Sequence, residues 1–458
     1  MSESLRSVGL DVGTTSTQMI LSELTVENRA SSFAVPELEI TRREILYRSP
    51  VHFTPLLDAR HVDAAALERL VAAEYASAGI RPEQVDTGAV IITGETARKD
   101  NARAVLDALA GYAGDFVVAT AGPDLESVLA AKGAGAVEYS ARTGETVLHM
   151  DIGGGTSNLA WIEDGKILAT GCLDVGGRLL KLTPQGEVTY VSPALAGFTR
   201  LKVGDRADRS DVEEVARKLT EVLEMAAGLR QRTELPDRLT TPGSSKLWPT
   251  APEGAVISFS GGVADCIRED KPWLEYGDIG PVLGQQIRKS RLCRGKHRLG
   301  AETIRATVIG AGCHSAQLSG STVFCRDVAL PLRNLPVARL TRREQALPPQ
   351  ELAELIRHRL GESRPVVLAL PGEASPHYPQ VARLADAIAR GFGEGPVLVC
   401  LEEDMAKALG QALALRLPAG RGCLCIDRVR LEEGSCLDVG EPVGPALPVV
   451  VKTLILNG

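Results

Sequence analysis

The sequence lacks any apolar run of about 18 residues, so a membrane-spanning helix is not expected. Its first residues, MSESLRSVGLDVG, have no basic region followed by an apolar stretch, so a signal peptide is not expected either. There is no excess of positive charge: 51 lysines and arginines stand against 58 aspartates and glutamates, a formal net charge of -7. That balance speaks against non-specific nucleic-acid binding. The local basic clusters 288–291 (RKSR) and 294–298 (RGKHR) read as a solvated helix end and a loop. A cysteine framework is missing too. Nine cysteines are scattered along the chain, an odd set that reads as reduced thiols inside a cell. The closest pair, Cys423 and Cys425, lies in an apolar stretch with no second pair or histidine motif, so it reads as core rather than as metal ligands.

What is present is an ordinary globular composition, 44% hydrophobic and 24% charged over 458 residues, long enough for two or three domains. Strand-like and helix-like segments alternate, which predicts an α/β fold. Residues 5–24 (LRSVGLDVGTTSTQMILSEL) read as strand, glycine turn, strand. A helix is expected within 58–80, a buried strand at 88–93, then a helix (ARAVLDALAGYAG), a strand (DFVVAT) and another helix (LESVLAAKGAGA). Residues 145–177 read as three or four strands, with a hairpin turn at Asp164-Gly165. SDVEEVARKLTEVLEMAAGL reads as an amphipathic helix capped by Ser210, and 231–254 as an exposed loop. TIRATVIGAGCHSAQLSG reads as a helix interrupted by Gly310 and Gly312. The texture changes near residue 320, where a small β-α-β-α unit and a strand-rich tail begin.

One pattern occurs twice. Asp11-Val12-Gly13-Thr14-Thr15-Ser16 and Asp151-Ile152-Gly153-Gly154-Gly155-Thr156 each place an aspartate at the end of an apolar strand, then a small-residue turn, then a second strand. Turns of glycine and threonine let backbone N–H groups approach phosphate oxygens that larger side chains would block. The hydroxyls of Thr14, Thr15, Ser16, Thr156 and Ser157 add donors. Aspartates just before the turns, Asp11 and Asp151, suit a hydrated Mg²⁺. A third glycine turn, Ser260-Gly261-Gly262-Val263-Ala264, also follows an apolar strand and suits close passage beside a nucleoside.

GLDVGTTSTQ, MDIGGGTSN, SFSGGVAD and VIGAGCHSAQLSG resemble the two phosphate motifs, the adenosine motif and a connecting helix of the actin, Hsp70 and sugar-kinase ATPase superfamily. The resemblance implies an actin-like ATPase fold with two ribonuclease-H-like lobes in residues 1–320 and an added C-terminal α/β and strand-rich module in 321–458. It implies ATP and Mg²⁺ as ligands, held by Gly13, Thr14, Thr15, Ser16, Gly153, Gly154, Gly155, Thr156, Ser157, Ser260, Gly261, Gly262, Val263, Gly310 and Gly312, with Asp11 and Asp151 at the metal. In the other connecting helix Glu126 best matches the acidic residue that positions metal-bound water, and Asp124 is the alternative. No lysine matches the catalytic lysine of Hsp70; Lys99 and Lys132 read as surface charges, which points to slow ATP turnover or to nucleotide acting as a switch. Glu95 reads either as a metal or partner contact or as a helix cap, and His314 as a packing residue.

Longer stretches, among them IITGETARKDNARAV, DFVVATAGPDLESVLAAKGAGA, GCLDVGGRLL, VALPLRNLPVA and DVGEPVGPALPVVVKTLIL, resemble the reactivating factors of ethanolamine ammonia-lyase. That resemblance runs from about residue 8 to the last strand-rich stretch. It implies an ATP- and Mg²⁺-dependent chaperone that helps the lyase, its partner, exchange damaged cobalamin for adenosylcobalamin. The cobalamin belongs to the lyase; this sequence has no D-x-H-x-x-G signature. The implied setting is the bacterial cytoplasm, at or within a microcompartment. Self-association or a small second subunit stays open, because related dehydratase reactivases pair a large chain with a small one. The alternatives are a small-molecule kinase or a non-hydrolysing scaffold of the same superfamily. An activator of hydroxyacyl-CoA dehydratases is set aside, since the cysteines do not form an iron–sulfur arrangement.

Overall fold

Two sheets share one strand order. In the first, β1 (Glu3–Val12), β2 (Ser16–Asn28) and β3 (Leu38–Arg48) form an antiparallel meander, with β4 (His52–Phe53) pairing the start of β2. β5 (Thr87–Ile92) and β6 (Val118–Thr120) extend it in parallel, giving the order β3-β2-β1-β5-β6. In the second, β7 (Val147–Ile152), β8 (Ser157–Glu163) and β9 (Lys166–Leu173) form the meander. A small hairpin of β10 (Leu180–Leu182) and β11 (Val188–Val191) follows. Then β12 (Val256–Ser260) and β13 (His297–Leu299) lie parallel beside β7, giving β13-β12-β7-β8-β9. The chain therefore has two lobes of ribonuclease-H-like topology, as the superfamily resemblance implies. The structure is a computed structural model. It describes residues 3–453 apart from 14–15, 29–37, 59–60, 94–100, 102–104, 106–107, 110–111, 113–117, 121, 249, 251, 253, 315, 320–321, 362–364, 432–434, 441 and 443–445.

The central strands are apolar because helices or loops cover both their faces. Every residue of TGAVII (β5), VLHMDI (β7) and VISFS (β12) is buried. At the β8–β9 turn, Asp164 and Gly165 both have positive φ, 47° and 72°, the geometry of a two-residue hairpin turn. Helix α1 (Ala64–Ser77), capped by Asp63, buries Leu67, Val71 and Tyr75 against the first sheet. The helices that follow are α2 (Pro123–Gly133), α3 (Ala136–Thr143), α4 (Arg209–Ala226), α5 (Leu235–Arg238), α6 (Gly262–Arg268), α7 (Gly280–Lys289) and α8 (Ala306–His314).

Helices α2 and α8 join the lobes and touch each other through glycine. A Cβ on Gly133 would strike the backbone of Ala306, and one on Gly310 the backbone of Leu129. A Cβ on Gly312 would lie 2.8 Å from Ile20 Cδ1 and 2.9 Å from the Gly9 nitrogen, so α8 rests directly on β1. The helix runs unbroken through Gly310 and Gly312; these glycines permit close packing and do not interrupt it.

A third sheet collects the rest of the chain in the order β14-β21-β20-β16-β17-β18-β19-β15. Its strands are β14 (Ala316–Leu318), β15 (Phe324–Arg326), β16 (Leu332–Arg339), β17 (Val367–Leu370), β18 (Val397–Leu401), β19 (Cys423–Ile426), β20 (Ser435–Val439) and β21 (Pro448–Thr453). Strands β16 to β19 are mutually parallel. Between them run α10 (Pro349–Leu360), preceded by the short α9 (Arg342–Gln345), α11 (Tyr378–Gly391) and α12 (Ala406–Ala414), whose apolar faces form one core. Cys423 and Cys425 are buried on β19, within that core.

Two local expectations are corrected. The cap of α4 is Asp208, not Ser210: its carboxylate accepts from the N–H groups of Ser210 and Asp211, and Asp211 returns the bond to the Asp208 N–H. Segment 231–254 is not simply exposed. It contains α5, and its apolar residues Leu247 and Trp248 enter the core of the second lobe. The Trp248 ring meets Trp161 edge-on with centroids 5.9 Å apart, and its indole N–H donates to the Ala226 carbonyl at 3.0 Å. Proline and glycine content hid this, because the segment is irregular yet inward-facing. Replacing Trp248 with alanine is expected to lower unfolding stability by about 3–5 kcal/mol; a denaturant midpoint unchanged from the parent would show the segment to be peripheral.

Candidate functional site: two matching turns

The two hairpins that carry the repeated motif are built alike. In the first, the Gly13 N–H donates to the Ser16 carbonyl at 2.9 Å; in the second, the Gly153 N–H donates to the Thr156 carbonyl at 2.9 Å. The strands then pair Val12 with Thr17 and Asp11 with Gln18, against Ile152 with Ser157 and Asp151 with Asn158. Directly opposed residues of an antiparallel pair share a face. Each aspartate therefore stands beside a side-chain amide, Gln18 or Asn158. Thr14 and Thr15 lie outside the described residues, as do Glu95, Lys99 and the side chain of His314.

Both aspartates are held in proton-retaining surroundings. Burial pushes the Asp11 carboxyl up to about 7; the Thr93 hydroxyl, donating to Oδ1 at 2.9 Å, opposes this and the charge of Asp151 adds to it. Burial pushes Asp151 up to about 6, opposed by the Ser260 hydroxyl, which donates to its Oδ1. Buried carboxyls of this kind favour the protonated form, or a cation beside them.

Two further features ask for something beyond the chain itself. The side-chain oxygens Gln18 Oε1 and Asn158 Oδ1 are buried without a hydrogen-bond donor, although the matching nitrogens are used: Gln18 Nε2 donates to the Ile304 carbonyl at 3.2 Å and Asn158 Nδ2 to Glu126 Oε2 at 3.2 Å. Such orphaned acceptors usually face water or a ligand. Then there is Gly155. Its φ is not positive, and a Cβ there would meet no atom of the chain within 4 Å. Neither backbone geometry nor packing requires glycine at this position. Gly153 is nearly as free, with only the Thr156 carbonyl at 3.5 Å, and Gly154 lies under the Arg178 side chain, Cδ at 3.3 Å.

The remaining expected residues divide. Glu126, on the first turn of α2, is buried and reaches the Asn158 amide, whereas Asp124 is tied to Thr170 and to the N–H and hydroxyl of Ser245. Ser16 and Thr156 close their turns through their carbonyls; the Ser157 hydroxyl donates to the Val175 carbonyl at 2.7 Å. Gly261 has φ of 83° and passes against the backbone of Ile152, a Cβ on Gly262 would make ordinary contact with Ile304 Cδ1 at 3.9 Å, and Val263 packs in the second-lobe core. Gly310 and Gly312 face the chain's own helices and strands, which explains them without a ligand. Lys132 lines a cavity of about 400 Å³ with Val128, Val137, Leu168 and Thr170, which contains none of the two aspartates or their partners.

The sequence reading passed over Gln18, Asn158 and Arg178. The first two were available from the repeat, since each stands at the same spacing after its aspartate. Arg178 follows Gly176-Gly177; its N–H donates to the Gly154 carbonyl at 2.6 Å, and its guanidinium is steered by Asp278, Nε to Oδ2 at 3.1 Å. Only the fold brings it to the second turn.

Comparison with known proteins gives consistent matches. A profile of the family described as "Ethanolamine utilisation protein EutA" matches residues 3–457. A curated relative from Salmonella typhimurium strain LT2, "Ethanolamine ammonia-lyase reactivase EutA", is 40% identical over 474 aligned residues, 98% of each chain. A relative of the same name from Escherichia coli K12 is 40% identical over 470, again 98% of each. Among solved structures, an Aquifex aeolicus member of the Ppx/GppA family is similar with a TM-score of 0.42 and 13% identity, covering 67% of this chain and 97% of that one.

The raised carboxyl values set a pH dependence. The folded chain holds protons on Asp11 and Asp151 at pH values where the unfolded chain, with ordinary carboxyls near 3.8, has released them. Their contribution to stability is thus full below about pH 4 and lost as pH rises through 6 to 7. Without ligand, the parent is expected to lose more stability between pH 5 and 8 than Asp11→Asn, in which only Asp151 of the pair still titrates. Equal losses in denaturant titrations would contradict the proton-retaining site.

Proposed function

The chain belongs to the EutA family of ethanolamine utilisation proteins, and we propose that it is an ATP- and Mg²⁺-dependent reactivase of ethanolamine ammonia-lyase, promoting exchange of damaged cobalamin for adenosylcobalamin on the stalled enzyme. The full-length match to relatives that carry that name is the observation on which the partner rests. The nucleotide rests on the paired turns. Gly155 supports it most directly, because its missing side chain leaves room that the chain does not fill.

In this reading the backbone of residues 153–156 lies against phosphate oxygens, and the first turn lies on their other side. The residues fit a hydrated divalent cation: Asp11 and Asp151 supply charge, and Gln18 Oε1 and Asn158 Oδ1 are acceptors in need of donors. Bound Mg²⁺ would supply phosphate charge neutralisation while keeping several of its waters. In this reading Glu126, hydrogen-bonded by Asn158, accepts a proton or orients a water, and Arg178 adds positive charge beside the second turn. Residues 1–320 act as the nucleotide-binding core and 321–458 as the added module; the chain enters the third sheet at β14, just before that boundary. Lobe closure on nucleotide shifts the population of a form that opens the lyase. The setting we assign is the bacterial cytoplasm at a microcompartment.

The test uses ethanolamine ammonia-lyase inactivated with a cobalamin lacking its adenosyl group. With this protein, ATP, Mg²⁺ and fresh adenosylcobalamin, acetaldehyde formation should recover, and recovery should require both protein and ATP. No recovery with a competent lyase would contradict the reading. Gly155→Val is expected to keep the ligand-free melting temperature while weakening nucleotide binding at least about tenfold, the loss of one or more close phosphate contacts; unchanged affinity would remove the second turn from the phosphate site.

A further inference from the structure

One side of the Asp151 carboxylate is anchored by a buried chain of polar groups that the first lobe does not have. His149 and Asp151 are two residues apart on β7 and share a face; Ser258 and Ser260 stand opposite them on β12. All three supporting residues, His149, Ser258 and Ser260, are completely buried. The His149 ring lies between the two serines, Nδ1 3.2 Å from Ser258 Oγ and Nε2 2.9 Å from Ser260 Oγ. Ser260 Oγ in turn contacts Asp151 Oδ1.

The donors can be assigned by counting protons. An ionised Asp151 only accepts, so the single Ser260 hydroxyl proton goes to Oδ1. Ser260 must then accept from His149 Nε2–H. That leaves Nδ1 unprotonated, to accept from the Ser258 hydroxyl. Every hydrogen bond runs one way, from Ser258 through His149 and Ser260, and ends on Asp151.

The corresponding places in the first lobe show that the fold does not need this. Gly9 stands two residues before Asp11, and β5 sets Ala89 opposite Gly9 and Ile91 opposite Asp11. A glycine, an alanine and an isoleucine fill the sites that histidine and two serines fill in the second lobe. Burying three polar side chains is unfavourable unless each is satisfied. Here each is satisfied, and the chain's one outlet is the carboxylate.

We propose that Ser260 and His149 are positioning residues: they commit Oδ1 of Asp151, so that Oδ2 is presented in one orientation to the hydrated cation that accompanies the nucleotide. This rests on the nucleotide site proposed above. It also reassigns Ser260 from the nucleoside to the acid.

The test measures equilibrium affinity for a fluorescent ATP analogue with saturating Mg²⁺ and with EDTA, in the full-length protein. The ratio of the two affinities isolates the contribution of the cation. Ser260→Ala and His149→Leu are expected to shrink that ratio by about tenfold, as loss of a group orienting a metal-site carboxylate does, and to leave the EDTA affinity unchanged. His149→Gln is expected to restore the ratio, since its amide N–H can reach the Ser260 hydroxyl. A purely structural role would move the melting temperature without moving the ratio or being rescued by glutamine. A parental ratio kept by Ser260→Ala overturns the proposal whether or not His149→Leu folds. A parent that binds no nucleotide overturns the nucleotide reading itself, and the two failures are thereby distinguished.

Discussion

Two carboxylates of like charge, Asp11 and Asp151, are held close enough at the ends of equivalent strands for the charge on one to raise the proton affinity of the other. Much of the surrounding architecture can be understood from that juxtaposition. Burial first, and for Asp11 also the charge of Asp151, favours the protonated form of each acid. A cation beside them, as the proposed function requires, would favour the ionised forms and give the two lobes a common ligand. In the proposed function a nucleotide with its metal would bridge two bodies that helices α2 and α8 also join. Glycines let those helices, and Gly312 and β1, pack with their backbones in close contact.

The lobes are alike in topology and unlike in how they support their acids. In the first, one hydroxyl from Thr93 suffices; in the second, a buried relay of three side chains ends on Asp151. The asymmetry fits a cation site in which one carboxylate is fixed and the other adapts. Arg178, steered by Asp278, stands beside the second turn. The third sheet stands apart from this chemistry: its core is a parallel α/β layer with its own helices.

The duplicated turn was legible in the sequence because its determinants are local. Aspartate, small residues and flanking apolar strands all lie within about ten residues, and they repeat. The fold class followed from the same stretches and their resemblance. What was not legible depends on pairing across the sheet. Ser260 looked like part of a nucleoside motif until β12 was seen beside β7, and His149 looked like any strand residue. Gly310 and Gly312 looked like ligand glycines because sequence does not say which partner a missing side chain admits; here it is another helix and a strand. Trp248 was hidden in a proline- and glycine-rich segment whose irregular backbone still delivers an indole to the core.

The most direct test of the paired carboxylates is the number of protons exchanged when preformed Mg-nucleotide binds, measured by calorimetry at about pH 6.5 in buffers of different ionisation enthalpy. With folded carboxyls near 7 and 6, a cation arriving between Asp11 and Asp151 displaces protons, and net release is expected. It should fall in Asp11→Asn. Binding with no proton release in the parent would contradict the account, because the cation would then not be meeting these two acids.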